Sequence, residues 1–404
     1  MMKKAASPES MKKSNQSLIL NTIRTKGPIS RAKLSRIVKL SPPTVSRIVD
    51  FFLQEGIVSE VGKEESIGGR KAVLLEFNSN IGYVIGVDIG EVKIRAALGD
   101  LKGNIVEETF APTFPHKGGD ITLKQLITTL HTLFNRSKVK RSEVKMIGVS
   151  VPSPVDRTTG KVILASTIDG WRNLPLKDIL QTEFEIPVLV ENNVNMAAIG
   201  EKCYGTGGRN KNLIYVAVST GIGTGIILED KLYYGTRDLA GEISHMAIEK
   251  DSWQKDYGFH GCLETLISGD AMVEEVKDYI KKGYISIIPE LVEEERISPD
   301  VIFTAASKGD KLAREAVTKI SRYLGIAIAN LVSVLDPEIV VLGGDIVLAG
   351  EFPLEIISGI VKRLAPALPE IVLSKLGNKA SMYGAVAMVL DKVLKRIDLP
   401  EMAT

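Results

Sequence analysis

Two sets of residues in this sequence have the types and spacing to bind anions. The first combines hydroxyls with cations: Ser41, Pro43, Thr44, Ser46 and Arg47 in one stretch, and Gly69, Arg70 and Lys71 further on. A guanidinium can donate two parallel hydrogen bonds to a guanine edge, and hydroxyls suit base edges or phosphates. An Arg flanked by glycines is thin enough to enter a minor groove. The second set is three glycine turns: Gly86-Val-Asp-Ile-Gly90, Ser219–Gly225 and Leu342-Gly-Gly-Asp345, each running out of an apolar stretch. The backbone N–H groups of such turns converge on phosphate oxygens. One turn of this kind is weak evidence; three in order are much stronger.

The elements that must position the first set can be read from periodicity. From Asn15 the chain predicts three short helices. Leu18, Ile19, Leu20 and Ile23 give the first an apolar face, which Gly27 and Pro28 end. Ser30 can N-cap a second helix running to Val38, and Lys39 and Leu40 make the turn. Ser41 then caps a third, with Pro42 at its first position, where a missing N–H costs nothing. Val45, Ile48, Val49 and Phe52 fall at i, i+3, i+4 and i+7, a buried stripe ending at Gly56. Thr44, Ser46 and Arg47 lie off the stripe near the N-terminal end, where a recognition helix meets base edges. Ile57–Val61 and Ala72–Phe77 predict two strands joined by the basic loop, a wing. The bland alternative is a three-helix protein-interaction module with solubilising surface charge. Charge asymmetry argues against it. Residues 1–76 carry 14 Lys/Arg against 7 Asp/Glu, and the remainder 37 against 42, within a total of +2. A basic head on an acidic body points to a polyanionic partner, most simply double-stranded DNA.

The body repeats a plan. Tyr83–Gly90 is a strand running into a glycine turn, followed by a strand at Ile94–Leu98. Leu213–Val218, the turn Ser219–Gly225 and Ile226–Leu228 repeat it. Two copies predict two similar α/β lobes around a cleft. The 404 residues suit two or three domains, and 44% hydrophobic with 25% charged residues excludes a disordered or fibrous chain. Cys203 and Cys262 cannot form a disulfide framework and fit a reducing cytoplasm. The N-terminus lacks the apolar core of a signal peptide, and no apolar run reaches membrane-spanning length, so a soluble protein with no membrane partner is expected.

With these residues in view, the body resembles the ROK family of repressors, open reading frames and sugar kinases. The whole chain resembles its xylose-repressor-like members, which carry an N-terminal winged helix-turn-helix. The resemblance rests on Gly86-Val-Asp-Ile-Gly90, Gly148-Val-Ser-Val-Pro-Ser-Pro-Val-Asp156, Glu191-Asn-Asn-Val-Asn195, Thr220-Gly-Ile-Gly-Thr-Gly225, Ala240-Gly-Glu-Ile-Ser-His245 and Gly261-Cys-Leu-Glu264. It implies an α/β chain: a winged helix-turn-helix joined to a two-lobed actin-like, ribonuclease-H-like sugar-kinase fold. The expected division is a flexible basic N-terminus (1–14), the DNA-binding domain (15–78), a first lobe (79–195), a second lobe with the sugar-binding and degenerate zinc segments (196–395), and a tail (396–404).

The resemblance also implies that Asn192, Asn193, Glu242, His245 and Glu264 hold sugar hydroxyls, which suit paired amides and carboxylates. A lone His is more often a satisfied core residue; in Glu-x-x-His followed by Gly-Cys-Leu-Glu the ligand reading is the stronger. The departures from the family are informative. Its kinases carry an Asp as catalytic base where this chain has Asn193, and an amide cannot take up a proton at neutral pH. Glu91 and Val92 replace a Gly and a Thr of the first phosphate turn, setting a negative charge where a triphosphate would lie. Asp88, implied as a magnesium partner, is kept, and bracing the turn is its other reading. Of the family's His and three Cys zinc ligands only His245 and Cys262 remain, with Lys255 and Tyr257 at two Cys positions; Asp256 and His260 are nearby. Two ligands do not complete a structural site. The expectation is therefore a sugar-responsive repressor with no catalytic residue, no zinc and no ATP, acting as a homodimer or dimer of dimers on a pseudo-palindrome, with a hexose or pentose effector. An ATP-dependent sugar kinase with an appended DNA reader is the rival, and control by a protein partner a third possibility.

Overall fold

Helix formation begins earlier than the apolar face at Leu18 suggests. In the computed structural model, which describes residues 8–63, 71–165, 167–258, 261–292 and 297–396, α1 spans Pro8–Lys26. Proline at a helix start gives up no hydrogen bond, so residues 8–14, expected to be flexible, are helical. A two-residue strand β1 (Ile29–Ser30) precedes α2 (Arg31–Val38); Ser30 stands at the N-cap position but makes no side-chain cap bond. In α3 (Pro42–Gln54) Ser41 does cap, accepting from the N–H of Thr44. Val45, Ile48, Val49 and Phe52 are each at most 1% exposed, which is the stripe read from spacing. Strands β2 (Val58–Lys63) and β3 (Val73–Phe77) pair antiparallel, and β1 joins β3 on its other side. This is the winged helix-turn-helix; Gly69 and Arg70 lie outside the described residues.

The first lobe is a five-stranded mixed sheet. Strands β4 (Tyr83–Ile89), β5 (Lys93–Asp100) and β6 (Ile105–Pro112) run as an antiparallel meander. Then α4 (Gly119–Ser137) leads to β7 (Val144–Val151), parallel to β4. A small sheet of β8 (Val155–Asp156), β9 (Lys161–Leu164) and β10 (Arg172–Leu174) precedes α5 (Leu176–Phe184) and β11 (Val188–Asn192), for a main-sheet order β11-β7-β4-β5-β6. After α6 (Asn193–Cys203) the plan recurs. Strands β12 (Leu213–Val218), β13 (Ile222–Leu228) and β14 (Lys231–Leu232) form the meander. Helices α7 (Cys262–Ile267), α8 (Gly269–Lys281), α9 (Pro299–Ser307) and α10 (Lys311–Leu335) lead to β15 (Ile339–Gly344). Then come α11 (Glu351–Leu364), β16 (Glu370–Leu373) and α12 (Ala380–Arg396), in a sheet ordered β14-β13-β12-β15-β16. The two orders correspond strand for strand, so the repeat in the sequence is a repeat of structure.

The last helix departs from the expected division. Rather than closing the second lobe, α12 packs on β4 and β7 of the first. The alternation of β4 explains it. Ile85, Val87 and Ile89 share a core with α4 and α5, leaving Val84 and Gly86 on a second face that needs cover. A Cβ at Gly86 would lie 2.6 Å from Met382 O, and one at Gly148 2.8 Å from Ala385 O, so both strands accept the helix only as glycine. On its other side α12 meets α6 even more closely: a Cβ on Gly384 would clash with Met196 O, and one on Gly200 with Ala380 O. Val386, Val389, Leu390 and Val393 of α12 belong to the same buried cluster as Ile19, Leu20 and Ile23 of α1. The winged helix-turn-helix domain thus shares its core with the first lobe. Among the described residues no helix is long and apolar enough to cross a membrane.

Two mid-helix glycines give a matched test. Gly384→Ala forces backbone apart and should lower stability by about 1–3 kcal/mol or more. Gly359→Ala on α11, with nothing within 4 Å of its added methyl, should raise it by about 0.5–1 kcal/mol. Thermal melts of the two variants should move in opposite directions.

Candidate functional site

Between the lobes lies a cavity of about 540 Å³, walled by the β7–β8 turn, the start of α6, the second glycine turn, the Gly241–Glu242 segment and α7. Its size suits a small ligand. Asn192, Asn193, Glu242 and Glu264 all line it. Their availability differs. Asn192 is the N-cap of α6: its Oδ1 accepts from the N–H of Val194 at 2.9 Å and of Asn195 at 3.3 Å, and its Nδ2 donates to Ser153 O at 3.3 Å. One amide N–H is left for a ligand. Asn193, the first residue of α6, lines the cavity where an Asp would be needed for base catalysis. Glu242 stands on the rim; loss of water around its carboxyl raises the pKa, opposed by the nearby His245. His245 itself is exposed and does not line the cavity, because the turn Ile243–His245 buries Ile243 and Ser244 instead.

Two polar contacts join the lobes on either side of this cavity, the first through Arg157, Tyr234 and Asp238, which the sequence does not single out. The Arg157 guanidinium of the first lobe lies 3.2 Å over the ring of Tyr234, and donates to Asp238 Oδ1 at 3.1 Å. Its Nε is 3.8 Å from Glu191, which also accepts from Asn192 N at 2.9 Å and Asn195 Nδ2 at 3.1 Å. Burial raises the pKa of Glu191, and these donors pull it back. Glu191 therefore holds the start of α6 in place. At the other end the hydroxyl of Thr220, in the second glycine turn, donates to the carboxylate of Glu91 in the first. Burial raises the pKa of Glu91, with Asp270 and Asp345 adding to it. A carboxylate bonded across the two phosphate turns, beside two more carboxylates, does not fit a nucleoside triphosphate. Nor do the described residues fit the zinc site of the family. The Cys262 thiol is buried against Ser252 Oγ at 3.4 Å, His260 lies outside the described residues, and among those described no three His, Cys, Asp or Glu side chains group to hold a metal.

The candidate nucleic-acid residues lie on α3 and at its cap. Ser41, Pro43 and Arg47 are exposed, and Thr44 and Ser46 half-buried. The Thr44 hydroxyl lies 2.8 Å from that of Ser41, so it is tied to the cap. Arg31 fixes the helix from α2, pairing with Asp50 at 2.7 Å and donating to Ser46 O at 3.3 Å. Lys71 is exposed at the foot of the wing.

Comparison with known proteins agrees with the two-part fold. The ROK family matches residues 84–392, and a winged helix-turn-helix DNA-binding family matches residues 14–59. The chain belongs to the ROK family. A xylose repressor of Caldicellulosiruptor bescii is 34% identical over 392 residues, covering 95% of this chain and 97% of that one. The crystal structure of a ROK family transcriptional regulator, a homologue of the Escherichia coli MLC protein, aligns over 95% of this chain and 97% of its own with a TM-score of 0.79 and 27% identity. A ROK glucokinase from Streptomyces griseus, solved with glucose and AMPPNP, aligns over 76% of this chain and 99% of its own, with a TM-score of 0.66 and 29% identity. The kinase likeness leaves out a quarter of this chain, whereas the regulator likeness spans nearly all of it.

Asp88, in the first glycine turn, accepts from Ser150 Oγ at 2.9 Å and is pushed up to about 6 by burial. An acid whose pKa is raised in the folded state binds more protons folded than unfolded, so its charge penalty is full above pH 6 and fades as pH falls towards 4. Asp88→Asn should therefore be more stable than the parent at pH 8, by on the order of 2–3 kcal/mol. The difference should vanish near pH 4, as read from urea unfolding at both pH values.

Proposed function

We propose that this protein is a sugar-responsive transcriptional repressor that performs no phosphoryl transfer. The observation that carries this reading is the shared core. The helix that reads DNA sits in a domain whose buried residues are continuous with α12, and α12 is locked against α6, whose first residues line the cavity. Sugar held by Asn193, Glu242 and Glu264, with Asn192 in support, acts on the start of α6. The far end of that helix is tied to the first lobe through Tyr204, whose hydroxyl donates to Gly103 O at 2.9 Å. Next to that turn, Lys102 pairs with Glu76 of the wing strand β3 at 2.8 Å. A ligand that prefers one arrangement of the lobes shifts the population of DNA-binding states by its differential affinity and by nothing more.

On DNA, α3 enters the major groove with Ser41, Pro43, Thr44, Ser46 and Arg47, while Gly69, Arg70 and Lys71 of the wing reach the flanking backbone or minor groove. One such reader covers few base pairs, so a homodimer, or a pair of dimers, on a pseudo-palindrome supplies the specificity. The named relatives support this reading: they include xylose repressors and N-acetylglucosamine repressors.

The test is operator binding by the full-length protein, measured by fluorescence anisotropy with D-xylose, D-glucose or N-acetylglucosamine and no nucleotide. One of the three should change affinity. Arg47→Ala should weaken specific binding by about 1–3 kcal/mol and keep the sugar response. No response to any of the sugars would contradict the effector reading, and unchanged binding by Arg47→Ala would contradict the docking. Coupled ADP release should stay at background in the wild type and in Asn193→Asp, since Glu91 still spans the phosphate turns. Sugar-dependent turnover in the wild type would restore the kinase.

A further inference from the structure

A buried carboxylate that the cavity does not use stands in the last turn of α6. Glu201 is 0% exposed, and both its oxygens are bonded. One accepts from the N–H and the hydroxyl of Thr206, at 3.1 and 3.0 Å. The other accepts from the Ser374 hydroxyl and from the N–H of Leu376 at 3.2 Å. Ser374 and Leu376 follow β16, so Glu201 fastens the helix to the second lobe. Three residues on, Tyr204 fastens it to the first. Its N–H donates to Gly200 O at 2.8 Å, and its hydroxyl to Gly103 O at 2.9 Å. One helical turn thus grips both lobes.

The turn that Tyr204 grips is braced. Asp100 accepts from the N–H groups of Lys102 and Asn104 and from the Asn104 side-chain amide, each at 2.9 Å. Gly103 has a φ of +95°, and a Cβ there would lie 3.0 Å from the Tyr204 hydroxyl oxygen. A turn packed in this way passes on a displacement instead of absorbing it. It is bonded in turn to the chain leaving the wing. Lys102 pairs with Glu76 of β3 at 2.8 Å, and the N–H of Leu101 donates to Ser79 O at 3.4 Å. Between those two, Asn78 donates its N–H to Ile57 O and its side-chain amide to Gly56 O, both at 3.0 Å. Gly56 and Ile57 come just after α3. Only the braced turn and residues 76–79 stand between the end of α6 and the end of α3.

We propose that the last turn of α6 is the relay by which lobe movement reaches α3, with Tyr204 as its positioning residue. This rests on the sugar-effector reading and deepens it by assigning the route of the response. The second lobe moves Glu201, and the helical turn carries Tyr204 with it. The braced turn follows, taking Glu76 and Asn78 along and with them the base of α3. Removing the Tyr204 hydroxyl leaves its ring against that of Tyr383, with centroids 5.5 Å apart, and takes away only the grip on Gly103.

Operator binding by the full-length chain, with and without D-xylose, D-glucose or N-acetylglucosamine, tests this in Tyr204→Phe, Lys102→Met and the double variant. Sugar affinity is followed by isothermal titration. For whichever sugar alters wild-type binding, Tyr204→Phe should keep the sugar affinity and the unliganded operator affinity within about twofold, while the sugar-induced change in operator affinity falls by about fivefold or more. Lys102→Met should lower the response too, and the double variant no further than Tyr204→Phe alone, because both lie on one route. A tyrosine needed only for packing would lower affinity or stability and leave the size of the response as it was. A full response in Tyr204→Phe would overturn the relay. So would a response lost only in step with sugar affinity, or additive effects of the two substitutions. If the wild type responds to none of the three sugars, the sugar reading itself falls, and the relay with it.

Discussion

The contact between α6 and α12 is the constraint on which the rest of this structure depends. Their backbones approach so closely at Gly200 and Gly384 that neither position has room for a methyl group. Interiors packed to this density transmit displacement instead of absorbing it. Each helix is also committed on its outer side: α6 to β13 through Gly223 and Gly225, and α12 to β4 and β7 through Gly86 and Gly148. The pair is the seam at which the two sheets meet. A shift of the second lobe against the first must pass through it.

The placement of the two candidate sites around this seam is what turns a sugar-kinase scaffold into a candidate regulator. The cavity opens at the first residue of α6, and the winged helix-turn-helix shares buried residues with α12. Two polar clasps flank the cavity, Arg157 with Asp238 and Tyr234 at one end, and Glu91 with Thr220 at the other. The second clasp spans the two turns that would cradle phosphate. A carboxylate set between the two glycine turns therefore also helps to hold the lobes in register.

Much of this was legible in the sequence, for reasons that differ by element. The stripe Val45–Phe52 and the Ser41 cap are local, set by helical period and a single turn, and the structure holds them as read. The lobe repeat was visible because strands followed by glycine turns repeat in order. What sequence could not supply was the use to which a side chain is put at a distance. Asn192 reads as a ligand contact, yet its oxygen caps α6. His245 reads as a sugar ligand, yet a short turn carries it out of the cavity wall. The last helix reads as part of the lobe it follows, yet it covers the uncovered face of the first sheet. Arg157 gave no signal at all, since a single arginine after a short strand has no distinctive spacing. The glycines at Gly200 and Gly384 carry the seam, and only the packed structure shows that they face each other.

The most direct test is hydrogen exchange on the full-length protein with and without the sugar that alters operator binding. If the helix pair couples the sites, exchange changes on sugar binding at α6, along α12, and at α1 across the shared core. An altered operator affinity with exchange changes confined to the cavity wall would contradict the account.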